Sequence, residues 1–378
     1  MIEIILLISF SFLLIHYLIF LFRIYSGLIK LNPEKTLQLP VEFVSVLIPF
    51  RNEEKNIIRV LKSLESQDYP EQKFEVIFID DNSSDDSKNL LETHIRKNNF
   101  KVVSVPEEYS KKAHKKRAIR YGIENAKGEI IVTTDADCVH SNQWLRTLLS
   151  FMEDDVGFIS GPVEFITGQK LFDKFQKLEF AGLVITGAGL IGNTTPIICN
   201  AANIAYRKKV FDEVGGFALQ LDLSSGDDEL LMQKIFRDTD YKIVFALDKN
   251  AIVKTEANSS IKQFYNQRKR WASKGLFYKN KLLVLKLILI FLFYFSLIVL
   301  PFLGLLVDKS FLFLFIIFFL LKIIFEYKIL KKGIKLLFEK KILNIFLVAE
   351  LFHIPYIIIA GISGAFGNYQ WKGRSLSR

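Results

Sequence analysis

Four stretches of this chain are too long and too apolar for ordinary surface helices, and they lie at its two ends. Residues 1–22 carry only Glu3 and His16 as polar ionisable side chains, and about 20 such residues cross roughly 30 Å of hydrocarbon. Residues 282–307 and 310–327 are each interrupted by one lysine, and residues 342–366 by Glu350, His353 and Pro355. With 50% hydrophobic residues and 35 Phe in 378 positions, the chain is too greasy for a wholly soluble protein, so part of it is expected in lipid. The first stretch has neither a basic leader nor a small-residue cleavage site, which reads as a retained anchor over residues 1–24. Residues 33–281 are then left to form the folded domain, and residues 282–378 a second membrane region.

The cations orient this arrangement. Arg23 and Lys30 follow the first stretch, residues 268–281 precede the second, and residues 328–341 follow the third. The positive-inside rule therefore puts the middle of the chain in the cytoplasm. About half of the net charge of +10 comes from residues 322–341, where each cation gains ~1 kcal/mol beside anionic headgroups. Ile334, Leu337 and Phe338 interleave these lysines, which points to membrane lipid as the partner and against nucleic acid. A full crossing by residues 342–366 would leave the basic tail outside the cytoplasm. The membrane region is thus read as two spans plus an interfacial, re-entrant or third span. Cys138 and Cys199 suit a reducing compartment, and neither they nor the five histidines show metal-ligand spacing. The oligomeric state is not readable.

Residues 43–134 alternate strand with helix: strands over 43–49, 74–80, 102–105 and 129–134, helices over 52–67, 84–98 and 111–125. This order implies a mostly parallel sheet covered on both faces. Polar residues unsuited to a core follow each long strand: Arg51-Asn52-Glu53, then Asp80-Asp81-Asn82-Ser83, then Asp135-Ala136-Asp137. Ligands of open α/β sheets collect where strands end. Carboxylates in such a place are hard oxygen donors of the kind Mg²⁺ or Mn²⁺ prefers. Acids this close repel one another, and a bound cation or hydrogen-bonding ligand would keep them ionised. Beyond Asp137 the order is irregular, with residues 144–152 helical and a Gly-rich stretch at 182–192 suited to an interfacial segment or to packing against the sheet.

Together these motifs resemble a membrane-bound family 2 glycosyltransferase, an inverting enzyme of the GT-A (nucleotide-diphospho-sugar transferase) fold. The resemblance rests on residues 49–53, Asp80-Asp81-Asn82-Ser83, Lys115 with Ala118-Ile119, Asp135-Ala136-Asp137, residues 203–207 followed by Val214-Gly215-Gly216-Phe217, Gly226-Asp227-Asp228, and Gln267-Arg268-Lys269-Arg270-Trp271. The last is similar to the Gln-x-x-Arg-Trp signature of cellulose, chitin and hyaluronan synthases and of ceramide glucosyltransferases.

The resemblance implies roles residue by residue. Pro49, Glu53, Asp80 and Asp81 would form the nucleotide pocket, with Lys115 nearby and Asp135 at the ribose. Asp137, with Asp135, would hold the metal, Mg²⁺ or Mn²⁺. Gln267 and Arg270 would hold the diphosphate, and Trp271 and Asn203 would meet the acceptor. Asp228 would be the general base, with Asp227 as the fallback because the commoner Glu-Asp pair is here Asp-Asp; capping of the following helix is the competing reading of both. The implied reaction is inverting transfer from a nucleotide-sugar, UDP-linked, to a lipid acceptor. A small processive polysaccharide synthase acting on a growing glycan is the alternative, and a nonenzymatic binding protein of the same fold the third reading. The C-terminus bears no ER-retrieval signal, which points to a bacterial inner membrane.

Overall fold

Apolar runs rich in β-branched residues become the central strands. In chain order the elements are α1 (Ile2–Lys30), β1 (Val44–Phe50), α2 (Ile57–Glu65), β2 (Phe74–Asp80), α3 (Ser87–His94), β3 (Phe100–Ser104), α4 (His114–Glu124), β4 (Ile130–Thr133), β5 (Val139–His140), α5 (Trp144–Leu149), β6 (Val156–Ser160), β7 (Val163–Ile166), α6 (Leu171–Gly192), β8 (Ile204–Arg207), α7 (Lys208–Glu213), α8 (Glu229–Asp238), β9 (Lys242–Phe245), β10 (Val253–Glu256), α9 (Ile261–Ala272), α10 (Lys281–Leu306), α11 (Ser310–Leu337) and α12 (Phe346–Phe366). The computed structural model describes residues 2–31, 42–109, 114–166, 168–218, 226–275, 278–366, 369–371 and 374–376. They form two compact units: one of residues 27–257 with 336–338, the other of residues 1–26, 258–335 and 339–378.

The first unit is built on a seven-stranded sheet of order β3-β2-β1-β4-β8-β6-β9. Strands β3, β2, β1 and β4 run parallel, and β8 runs against both β4 and β6. Every residue of β2 is buried, as is all of β1 except the half-buried Pro49. Such continuous burial is expected of strands covered on both faces. A smaller sheet, β5-β10-β7, sits in the same unit. This is the α/β, mostly parallel GT-A-like arrangement anticipated, with shorter helices than the apolar pattern suggested. The helix read at 52–67 begins only at Ile57, because Asn52 takes a left-handed conformation (φ 54°) and sends the chain into a loop.

The Gly-rich stretch at 182–192 is the end of a continuous helix, α6. Its glycines serve a close crossing with the end of α1: a Cβ on Gly27 would lie 1.7 Å from the Gly189 carbonyl oxygen, and one on Gly192 would lie 2.5 Å from that of Gly27. Side chains larger than hydrogen would force the two backbones apart.

The second unit consists of long helices. Glu3–Lys30, Lys281–Leu306, Ser310–Leu337 and Lys340–Ala365 are each long and apolar enough to cross a membrane. Helix α12 runs on through Pro355 from Phe346 to Phe366, after a 3-10 helix at Lys340–Ile345. Glu350 and His353 do not escape apolar surroundings; they are paired within them. Lys322, fully buried on α11, bonds Glu326 at 3.0 Å and also Glu350 of α12. Tyr17 and Tyr294 both donate to Glu326, and His353 Nδ1 lies 3.9 and 3.8 Å from the Glu326 and Glu350 carboxylates. Ionisable groups among apolar helices are tolerated only when so paired.

Candidate active site

Strand register brings the polar strand ends to one edge. Phe50 pairs with Asp80, and Leu47 with Thr133, so the chain leaves β1, β2 and β4 at the same end of the sheet, the edge where such folds bind ligands. Side chains lace the first two of these loops together. Asn52 accepts from the Ser84 amide at 2.8 Å and its own amide donates to Ser83 Oγ at 3.1 Å. The Glu53 and Glu54 amides donate to Ser87 Oγ and Asp85 Oδ2. Asn82 is also left-handed (φ 59°). Ser84 and Asp85, left without a role in the sequence reading, thus hold the loops in place.

The acids at this edge are met by cations of the chain itself. Arg117 forms a buried ion pair with Asp81, while Asp80 accepts the Ser83 amide at 2.9 Å. Lys115 Nζ lies 2.6 Å from Asp135 Oδ1 and 3.2 Å from Asp227 Oδ2. Burial works against the Lys115 ammonium, but Asp135 and Asp227 outweigh it and raise its pKa. Burial would raise the Asp227 carboxyl; Lys115 and then Lys116 draw it below the usual range. These three cations are consecutive residues in the first turn of α4, where the helix dipole disfavours positive charge. That misplacement is the sequence signal that could have marked Lys116 and Arg117, which the motif reading passed over.

Asp227 and Asp228 stand at the start of α8, and the capping alternative for them is not what the geometry shows. Asp228 occupies the N-cap position but makes no side-chain cap bond; its Oδ2 instead accepts the Ala201 amide, 3.0 Å away. Gly226 ahead of them has φ +84°, and a Cβ there would meet Leu230 Cδ1 at 2.7 Å, so the turn demands glycine.

Asp135 and Asp137 are both half-buried, and carboxylate oxygens are the donors that a hard divalent cation prefers. The neighbouring Cys138 thiol is buried. Burial first, then Asp137 and Asp135, push its pKa well above the ordinary value and keep it protonated. Among the described residues, the trio of acid and imidazole groups within 4.8 Å of one another is Glu326, Glu350 and His353, in the helical unit, and Lys322 already bonds both of those carboxylates.

A buried polar frame underlies the β4 end. His140 bridges Thr134 Oγ1 at 2.8 Å and Ser63 Oγ at 3.0 Å and packs on Trp144. Burial lowers its pKa to about 3, so it is a neutral hydrogen-bonding bridge. Asn203, expected to meet the acceptor, belongs to this frame. Fully buried, it donates to the Pro162 and Ala251 carbonyls, both at 2.8 Å, and accepts from Trp144 Nε1 at 3.0 Å.

The Gln267, Arg270 and Trp271 motif lies on α9, in the helical unit. Gln267 Oε1 accepts from Asn258 Nδ2 at 2.9 Å. The intervening Arg268 is buried, its guanidinium 4.3 Å from the Trp271 ring centroid and 4.5 Å from that of Phe264. It therefore holds the Trp271 ring from one side, a role the motif spacing does not reveal. Phe264 in turn packs on Tyr356 of α12, ring centroids 5.4 Å apart.

A mostly parallel sheet with acids gathered at its carboxyl edge defines a GT-A-like fold, and comparison with known proteins agrees. The mannosyltransferase PcManGT of Pyrobaculum calidifontis superposes with a TM-score of 0.58 over 97% of this chain and 99% of that one, at 18% identity. Residues 45–215 match the family model for Glycosyl transferase family 2. Glycosyltransferase AglE of Haloferax volcanii is 29% identical over 213 residues, covering 54% of this chain and 65% of that protein. An undecaprenyl-phosphate 4-deoxy-4-formamido-L-arabinose transferase of Pseudomonas fluorescens is 33% identical over 115 residues, 30% of this chain and 33% of that one. The chain thus spans less than two thirds of the length of these curated relatives.

Proposed function

We propose that this protein transfers a single sugar from a nucleotide-sugar, UDP-linked by the resemblance, to a lipid acceptor, with inversion at the anomeric carbon. The observation that carries the reading is the meeting of Asp135 and Asp227 about Lys115 at the sheet's carboxyl edge, next to Asp137 and Asp228. Such a set offers carboxylates for a divalent cation, an ammonium for developing phosphate charge and a carboxylate for proton removal. Apolar helices on the same chain favour a lipid acceptor over a soluble one. The relative named for transfer involving undecaprenyl phosphate supports the same choice.

In this mechanism Asp228 takes the acceptor hydroxyl's proton, its carboxylate held in place by the Ala201 amide. Lys115 stabilises the charge that grows on the departing diphosphate. Pro49, Glu53, Asp80 and Asp81 form the nucleotide pocket, the last through a loop tied down by Arg117. Asp135 and Asp137 would hold Mg²⁺ or Mn²⁺, which supplies Lewis-acid stabilisation of the leaving group; PcManGT, the solved neighbour, is described with GDP-Man and Mn²⁺. Gln267, Arg270 and Trp271 carry the diphosphate and acceptor roles that the Gln-x-x-Arg-Trp resemblance implies. The sheet-bearing unit faces the cytoplasm of a bacterial inner membrane, as the distribution of lysine and arginine suggests.

The test is purified protein in detergent with Mn²⁺, native membrane lipids and a panel of UDP- and GDP-sugars, scoring nucleotide release and organic-phase label together. One labelled lipid with a single added sugar, lost in Asp228→Asn, is the expected result. A ladder or water-soluble polymer would establish the processive synthase instead, and no release with any donor would remove the enzymatic reading.

A further inference from the structure

The three cations of the first turn of α4 are not equivalent. Lys116 is fully buried and Arg117 nearly so, the latter fixed on Asp81. Lys115 keeps one fifth of its side chain exposed and divides its ammonium between two acids from different parts of the chain, Asp135 after β4 and Asp227 before α8. A lysine head is a compact point charge on a flexible stem and can move between oxygens without dismantling the helix that carries it.

We infer that Lys115 couples cation binding at Asp135 and Asp137 to nucleotide binding, because it and the cation compete for the same Asp135 carboxylate. The inference rests on the metal-site reading given above. An ammonium 2.6 Å from Asp135 Oδ1 repels a second positive charge brought to that carboxylate, an interaction that is strong at such separations in a partly desolvated site. Lys115 therefore weakens the cation site on its own. A diphosphate changes the balance: its oxygens attract the ammonium away from Asp135 while Asp227 still holds it from the other side. The cation site is then strengthened, and by linkage the cation strengthens nucleotide binding by the same factor. Lys115 thus makes the two ligands bind together, and the same displacement alters the charge beside Asp227 and its neighbour Asp228.

The measurement is Mn²⁺ affinity from the electron paramagnetic resonance of free ion, on the full chain in detergent, without nucleotide and with saturating UDP or GDP. Replacing Lys115 by Met is expected to tighten Mn²⁺ binding in the absence of nucleotide about tenfold, and to cut the nucleotide-induced enhancement about fivefold or more. Structural damage would weaken binding, so tightening separates the proposed role from a merely architectural one. Lys115→Arg keeps the charge, though not the compact head, and should keep Mn²⁺ binding weak in the absence of nucleotide; Asp137→Asn should abolish the tight site and so identifies the signal. Unchanged or weaker Mn²⁺ binding in Lys115→Met, with the same nucleotide enhancement as wild type, overturns the coupling while leaving the metal site standing. If wild type and Lys115→Met both fail to bind Mn²⁺, the metal-site reading falls and the coupling falls with it.

Discussion

Asn203 offers a sharp test because two accounts of it predict opposite behaviour. Its side chain is fully buried and satisfies three groups: the carbonyls of Pro162 and Ala251 and the indole N–H of Trp144. It is also packed tightly, since a Cβ on Gly161 would lie 2.3 Å from Asn203 Nδ2. Asn203→Ala would strand the Trp144 indole N–H and the Ala251 carbonyl, each worth about 1–3 kcal/mol when buried without a bond, while the Pro162 carbonyl keeps the Val253 amide at 3.0 Å. Partial relaxation reduces the sum, leaving roughly 2–4 kcal/mol. For a domain of this size that lowers the melting temperature by about 5–12 °C. Asn203→Asp keeps an acceptor for Trp144 but faces two carbonyls with a carboxylate, and should fall at least as far. Differential scanning fluorimetry in detergent reads both, with acceptor KM measured well below the new midpoint. A melting point unchanged in Asn203→Ala, together with a raised acceptor KM, would refute the structural account and restore the acceptor contact.

Other consequences follow from the same kind of accounting. His140 is neutral in the folded protein down to about pH 3, whereas an unfolded imidazole takes up a proton below about 6.5. Between those limits the unfolded state binds more protons, so stability falls as pH drops through that window, by up to ~1.4 kcal/mol per unit. His140→Gln, with a donor and an acceptor but no titration, should flatten the fall in melting temperature between pH 7 and pH 5; an identical slope would contradict the assignment. Lys322→Met leaves Glu326 and Glu350 facing each other without their cation, a loss of about 3–5 kcal/mol. Adding Glu326→Gln and Glu350→Gln should recover most of the detergent melting temperature, and failure to recover would show that the charges do more than cancel.

The sheet was legible in the sequence because its strands are continuous buried runs, and the three motif loops because charged residues follow such runs directly. Residues after Asp137 were harder. β8 reverses direction between β4 and β6, and four-residue strands joined by irregular connections leave no periodicity to read. Asn203 shows what motif matching leaves open. A polar residue at a strand end looks the same in sequence whether it meets a ligand or fastens the strand to α5 and to the carbonyls of Pro162 and Ala251, and only its three bonds distinguish the two.

The acids at the sheet edge make the complementary point. Their crowding implied a bound cation, and the reasoning was incomplete, because a chain can supply cations of its own from an element remote in sequence. Arg117 meets Asp81 from 36 residues away, and Lys115 meets Asp135 from 20 residues away. What distinguishes these partners is where they sit: consecutive positive charges in the first turn of a helix oppose its dipole and are stable there only if something negative faces them. A cationic helix start in a chain with acids at strand ends therefore predicts a pairing, even when it does not say which cation meets which acid. Arg117 and Asp81, both buried, form a fixed pair. Lys115, shared and partly exposed, is left able to respond when a ligand arrives.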